Sequence, residues 1–316
     1  MTATTIIGLD IGGTKTAVVE GDPETGATLQ RTEIPTEART PFASRFPEIA
    51  AVIDRTRDSA VGAARHVRAI SVSVGGPLRI RDGVLLDPPH LPGRPGVALR
   101  AALADRYPAL PVYVEHDGNA GALAEYHFGI GRRMPSLRHL VFLTAGTGLG
   151  GGIIANGVLV RGASDTAGEF GFFPMVTRAV NGTREETIWD SLASGTALVH
   201  HARTMFPDRW DARATIRGVV DAALADDRDA LAAVARTGEW LGRGITLVIT
   251  ALNPEVIVVG TLGVALGERL LAPARAVVAA TALPAAARAC TIVPASLGTR
   301  VGDVAAIMAA VAAGAG

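Results

Sequence analysis

The sequence predicts an α/β protein of two domains, and three observations predict it. Apolar runs of strand character alternate with stretches of helical spacing from one end to the other, which is the pattern of α/β folds. A strand, a glycine turn and a second strand occur twice, around residues 6–19 and again around 140–160. The chain has 316 residues, enough for two domains sharing a cleft.

The first repeat, Ile6 to Val19, reads IIGLDIGGTKTAVV. Gly12 and Gly13 let the backbone turn where a Cβ would forbid it and let a bulky ligand approach. Their N–H groups and the Thr14 hydroxyl can form an anion-binding concavity. Asp10 beside such a nest would repel a bare phosphate, so its presence makes sense with a divalent cation between them, as Mg²⁺ sits on nucleotide phosphates. A plain hairpin also uses adjacent glycines. Lys15 is the only lysine in the chain, and it is either a point-charge contact to phosphate or a solvated group at a strand edge.

Composition narrows the function classes. The formal net charge is zero and aromatic residues make up 4%, so neither a basic footprint nor a stacking surface for nucleic acid is present. Cys290 is the single cysteine, which excludes a disulfide framework and a cysteine metal cluster. The first strand begins almost at once and apolar runs are broken well before spanning length, so a signal peptide and a membrane segment are not expected. A soluble, cytoplasmic protein is the expectation.

Along the chain, Ala27 to Ile34 reads as a strand, Phe42 to His66 as a helix, and Val67 to Val74 as a strand ending in Gly75-Gly76-Pro77. A strand cannot continue through proline, and a loop at a strand's C-terminal end is where open α/β sheets bind ligands. Asp87 to Pro95 (DPPHLPGRP) is a proline-rich loop of the kind that carries specificity. His90 in it is either a substrate contact or an ordinary exposed histidine. A helix from Val97 to Arg106 and a short strand from Val112 to Glu115 come next. His116-Asp117-Gly118-Asn119 then leads into a helix from Ala120 to about Phe128. Asp117 or Asn119 would cap that helix, and a carboxylate there is equally placed to take a proton from a hydroxyl. Spacing alone does not choose.

The second repeat is Leu140 to Thr144, then Ala145 to Gly152 (AGTGLGGG), then Ile153 to Val160. Gly146, Gly148 and Gly151 match the dinucleotide GxGxxG pattern, which requires a helix next. Asn156-Gly157 comes instead, a strong hairpin signal. The stretch is therefore a second phosphate-binding β-turn around Gly146, Thr147 and Gly148, and the Walker spacing is absent from both turns.

Ala167 to Phe172 is a turn with one acid, and a polar loop runs from there to Glu186. A helix passes through Ser194-Gly195-Thr196 to about Thr204, and a long helix from Asp227 to Leu252 stops at Asn253-Pro254. Glu255 to Gly260 is a strand leading through Thr261-Leu262-Gly263 into a helix from Val264 to Val277. Thr291 to Pro294 is the last strand and Gly302 to Ala313 the last helix.

Asp10 to Thr16, Glu115 to Glu125, Ala145 to Gly152, Ala167 to Gly171, Leu252 to Glu255 and Gly260 to Gly263 occur in that order. The set resembles the ROK family of sugar kinases and sugar-responsive repressors, within the actin-like/hexokinase superfamily, over essentially the whole chain. The resemblance implies two actin-like ATPase (ribonuclease H-like) domains around a central cleft. The domains would be 1–117 plus 300–316 and 118–299, the last helix returning to the first. It implies ATP with Mg²⁺, the metal on Asp10 directly or through water. The nucleotide would be held by Gly12, Gly13, Thr14, Lys15, Gly146, Thr147 and Gly148, with adenosine near Gly260, Thr261 and Gly263. The sugar would meet Gly76, Pro77, His90, His116, Asp117, Glu169 and Asp190. The family's catalytic aspartate, in a motif usually written NDAN, falls on Asp117.

Departures from the family pattern bear on substrate. The histidine after Glu-x-Gly, which touches both zinc and sugar in the family, is Phe172 here, and residues 179–190 hold no cysteine. An ordinary structural zinc site is therefore not expected. His116, His90 and Asp190 stand where the family has asparagine, asparagine and glutamate. A site built to hydrogen-bond hydroxyls rejects analogues that leave it unpaired, so glucose, an amino sugar and a cyclitol all remain candidates. The leading expectation is a hexokinase/glucokinase-type kinase acting on a primary hydroxyl, a homodimer by family likeness. The alternatives are a non-catalytic sugar-binding protein and a sugar-responsive regulator. Against the regulator, the chain starts within a few residues of its first turn, with no helix-turn-helix ahead of it.

Overall fold

The computed structural model describes residues 3–88, 90–178 and 184–315. Pro89 of the proline-rich loop and 179–183 of the cysteine-free stretch lie outside them. The chain forms two compact units, one of Met1–Arg133, Leu159–Ala167 and Arg300–Gly316, the other of Met134–Val158 and Gly168–Thr299.

The sheet of the first unit contains β1 (Thr4–Ile11), β2 (Lys15–Gly21), β3 (Thr28–Pro35), β4 (His66–Val74) and, after two-residue strands β5 (Leu78–Arg79) and β6 (Val84–Leu85), β7 (Val112–His116). Its order is β3-β2-β1-β4-β7. The first three strands run antiparallel and β1, β4 and β7 parallel. β1 is buried along its centre while β3 alternates half-buried and exposed, as a central and an edge strand should.

One face of this sheet buries Ile7, Leu9 and Val18 against Ile49, Val52 and Ile53 of the Phe42–Gly62 helix. The other buries Ile6, Val19 and Ala69 against Ala306, Ile307 and Ala310 of the Val301–Ala312 helix. That helix lies close because β1 offers no side chain at Gly8, where a Cβ would meet Ala306 at 2.8 Å. The chain's last helix thus belongs to its first unit.

The second unit carries β8 (Leu140–Ala145), β9 (Leu149–Ala155), the start of β10 (Val158–Val160), whose last two residues open the Leu159–Ala167 segment, the hairpin β11 (Pro174–Arg178) and β12 (Arg184–Ile188), then β13 (Val256–Val259) and β14 (Thr291–Pro294). Its main sheet has the order β10-β9-β8-β13-β14. β8 and β9 are antiparallel, and β8, β13 and β14 parallel. Strand order thus repeats between the units, and each glycine turn joins the first two strands of its sheet.

Several boundaries differ from the sequence reading for identifiable reasons. The Asp117–His127 helix starts three residues early and packs on the Val301–Ala312 helix, so it lies in the first unit. The expected Val264 to Val277 helix is two, Leu262–Leu266 and Glu268–Thr281, divided at Gly267 with φ +54°. The loop expected up to Glu186 contains β11 and β12, a ribbon whose polar residues hide its period. The Ile216–Leu224 and Pro284–Ala289 helices add to the elements expected from the sequence. Asn156-Gly157 is a tight turn with φ +54° and +79°. Among the described residues no helix is long and apolar enough to cross a membrane.

Candidate active site

In the first unit, β1, β4 and β7 are parallel neighbours, so the residues at and beyond their C-terminal ends are brought together. Those ends carry Asp10 with the Gly12–Lys15 turn, Gly75-Gly76-Pro77, and His116-Asp117. The turn closes through Gly12 N–H to Lys15 O at 3.0 Å, and Thr36 N–H donates to Thr14 O at 3.0 Å. A Cβ on Gly13 would meet the His90 carbonyl at 2.9 Å. The proline-rich loop therefore abuts the glycine turn through backbone, while His90 itself is exposed. Lys15 Nζ lies 2.7 Å from Glu33 Oε1 and its side chain is 66% exposed, so its charge is matched across the strands.

Asp10 is paired with Ser73 in the β1–β4 register. Burial pushes its carboxyl up to about 7, with the carboxylates of Asp117 and Asp303 adding to the effect. Gly302 belongs to this arrangement, since a Cβ there would meet Asp10 Oδ2 at 2.9 Å. A divalent cation set against Asp10 would favour its ionised form. In the ligand-free protein the folded state keeps a proton that the unfolded chain releases near the ordinary value of 3.8. This contribution is complete below about pH 4 and is lost as pH rises through about 7. Thermal melts from pH 5 to 8 should therefore fall more steeply for the parent than for Asp10→Asn, and equal slopes would remove Asp10 as the source.

Asp117 is the first residue of its helix, and His116, in extended conformation, is the N-cap with no side-chain cap bond. Asp117 Oδ1 accepts the Gly118 N–H at 2.7 Å and lies 3.5 Å from His116 Nδ1. Gly118 is the second residue of the helix, so one oxygen of Asp117 satisfies a free N-terminal donor. The Asp117 side chain is 42% exposed, and its Oδ2 faces Gly75, whose Cβ position is 3.7 Å away. The Asn119 amide donates to Glu115 Oε1 at 2.9 Å.

In the second unit the other turn is braced from two sides. Gly146 N–H donates to Gly148 O at 2.9 Å, and Gly195 N–H donates to Gly146 O at 2.7 Å. The Thr196 hydroxyl donates to Thr147 O at 2.8 Å. Ser194 caps the Gly195–Met205 helix through the Ala197 N–H, and a Cβ on Gly195 would meet Gly146 O at 2.6 Å. On the other side, the Gly146 Cβ position lies 3.6 Å from Thr261 Oγ1. Gly260 N–H joins the sheet at Leu143 O, 2.8 Å away. Thr261 has φ +35°, a strained conformation for a residue with a β-branch and one that concentrates at functional sites. The Gly260–Gly263 and Gly146–Gly148 turns therefore adjoin.

Glu169 comes directly after Gly168, whose backbone lies against Gly151 of β9, and it stands at the N-cap position of the Phe170–Phe172 turn without a side-chain cap bond. Phe172 is 60% exposed. Asp190 Oδ1 accepts the Leu149 N–H at 2.5 Å, which places that carboxylate at the foot of the second turn. A cavity of about 1050 Å³ in this unit is lined in part by Glu185, Thr196, His200, His201 and Trp240. Of the residues singled out in the sequence, Asp190 alone lines it.

Asp303, Gly302 and Gly195 belong to these arrangements and were not singled out in the sequence. Ser194-Gly195-Thr196 carried the signal of a helix cap. Gly302-Asp303 carried none, being an ordinary helix start brought to Asp10 by the return of the chain.

A profile described as the ROK family matches residues 6–312. A glucokinase of Streptomyces coelicolor is 30% identical over 273 residues, covering 80% of each chain. A xylose repressor of Caldicellulosiruptor bescii is 27% identical over 237 residues, covering 72% of this chain and 58% of the repressor. The crystal structure of a ROK family glucokinase from Streptomyces griseus in complex with glucose and AMPPNP superimposes with a TM-score of 0.76 at 27% identity, covering 96% and 99% of the two chains.

Proposed function

The chain belongs to the ROK family as a sugar kinase, and we propose that it transfers the γ-phosphoryl group of MgATP to the primary hydroxyl of a hexose or close hexose analogue, with Asp117 as general base. The observation that supports the base is the Asp117 carboxylate, half-exposed at the end of a buried strand, with Oδ1 on the Gly118 N–H and Oδ2 facing Gly75. As the sugar oxygen forms its bond to phosphorus and the bond to ADP breaks, Asp117 takes the hydroxyl proton. Phosphoryl transfer needs little more from a protein than such placement and charge stabilisation.

The residues fit a magnesium nucleotide on two grounds. The Gly12–Lys15 turn stands at the end of β1 beside Asp10, and burial with the neighbouring Asp117 and Asp303 carboxylates holds Asp10 toward its protonated form, a repulsion that a divalent cation would offset. Mg²⁺, when bound, would offset charge on the phosphates, with Asp10 on the metal side. Phosphate contacts are assigned to Gly12, Gly13 and Thr14 in the first unit and to Gly146, Thr147 and Gly148 in the second, adenosine contacts to Gly260, Thr261 and Gly263. Gly76, Pro77, His90, His116 and Glu169 are assigned to the sugar. Asp190, holding the Leu149 N–H, is assigned to support of the second turn. A homodimer belongs to the same reading and is checked by light scattering.

A coupled ADP-release screen over hexoses, amino sugars and cyclitols tests the activity and identifies the acceptor. Sugar binding without ADP release from any of them would favour the non-catalytic or regulatory reading, to which the repressor similarity points. Metal analysis of purified protein should find no tightly held zinc, and one zinc per chain would overturn the reading of Phe172 and the cysteine-free stretch.

A further inference from the structure

We infer that Arg161 is a positioning residue for Asp117, acting through Glu115; this rests on the general-base reading above. Arg161 lies in Leu159–Ala167, the short segment that the first unit takes from between two stretches of the second. Its Nε and Nη2 donate to Glu115 Oε2 at 3.0 and 2.7 Å. Glu115, the penultimate residue of β7, is 2% exposed. Its other oxygen, Oε1, accepts the His116 N–H at 3.0 Å and the Asn119 amide at 2.9 Å. One buried carboxylate therefore ties together the residue before Asp117 and the residue two after it, and Arg161 supplies its counter-charge.

The His116 side chain makes no cap bond, and the backbone on either side of Asp117 is held from behind by Glu115 through the His116 N–H and the Asn119 amide. The same segment is anchored a second time, since Asp165 Oδ2 accepts the Ile80 N–H at 3.0 Å, just after the Gly76-Pro77 loop. Removing Arg161 strands a buried carboxylate and loosens the frame in which Asp117 is aimed. A displacement of about 1 Å at a reacting group costs up to about a hundredfold in rate.

The test uses Arg161→Met, Arg161→Lys and the double variant Glu115→Gln/Arg161→Met in the full chain. The acceptor is the sugar with the highest turnover in the screen, with MgATP. Arg161→Met should lower kcat roughly tenfold or more, with both KM values within about twofold of the parent. Arg161→Lys should recover part of the loss. The double variant, which leaves no stranded charge, should melt near the parent and be no slower than Arg161→Met. Amide exchange should quicken in Arg161→Met at residues 116–119. Parental kcat in Arg161→Met, a loss carried by KM, a loss matched by unfolded protein in the melt, or unchanged exchange at 116–119 would each overturn the inference. If Asp117→Asn turned over at the parental rate, the base reading would fall instead. An inactive Asp117→Asn beside a fully active Arg161→Met would sink this inference alone.

Discussion

Asp117→Asn is expected to lower kcat by about two to four orders of magnitude, the usual contribution of a positioned general base, while sugar binding stays within a few-fold of the parent. The substitution keeps the size of the side chain and its capacity to accept the Gly118 N–H, so the helix start survives. It removes only the ability to hold a proton. Asparagine can keep the Gly118 bond, so the melting temperature should move little, and loss of turnover without loss of stability separates the two roles open in the sequence. Turnover by steady-state kinetics and sugar affinity by calorimetry decide the matter. Parental turnover would take Asp117 out of the base role, and a large loss of stability with proportionate loss of activity would return it to the role of a cap.

The second large effect is expected from Gly168→Ala. Gly168 has φ +94°, and a Cβ there would come 2.5 Å from the Gly151 carbonyl oxygen. Both conformational strain and a clash with backbone act at this one position, and neither can be relieved by a rotamer. Their combined cost is about 3 kcal/mol. Gly96 supplies the control, with φ +74° and nothing within 4 Å of its Cβ position; Gly96→Ala should cost only about 1 kcal/mol. Because Glu169 is the next residue, Gly168→Ala should also raise KM for the sugar in the protein that remains folded. Equal urea midpoints for the two variants would show that β9 yields to the intruding methyl group.

Local chemistry made much of the fold legible. Thr291–Pro294 is where the sequence places it, and the long helix begins one residue after Asp227, whose side chain accepts the Asp229 and Ala230 N–H groups. Both are decided by runs of strand-forming residues and by caps, which act over a few residues. The β11–β12 ribbon was missed because Met175 and Val176 are adjacent in β11 and β12 is mostly charged, which leaves no alternating hydrophobic period to read. The break at Gly267 was missed because a glycine within an apolar helical pattern is compatible with continuation as well as with a stop.

The same division runs through the candidate site. Asp10, Gly12, Gly13 and Asp117 announced themselves by residue type and spacing, since a glycine turn and an acid at a strand end are local devices. Lys15 looked equally local, yet Glu33 on the neighbouring strand holds it, and strand pairing is not visible in a linear pattern. Asp190 likewise is spoken for by the Leu149 N–H, forty-one residues away in sequence.

By itself, the sequence determined the α/β class, the two glycine turns, the family likeness and the acids at the strand ends, because each is written within a dozen neighbouring residues. Only the tertiary structure decided which of those groups are left for a substrate. What the second oxygen of Asp117 faces, whether Lys15 has a partner, and which distant arginine steadies Glu115 depend on groups that meet through folding. Hydrogen bonds and ion pairs reach only about 3 Å, and chain topology alone sets which residues come that close.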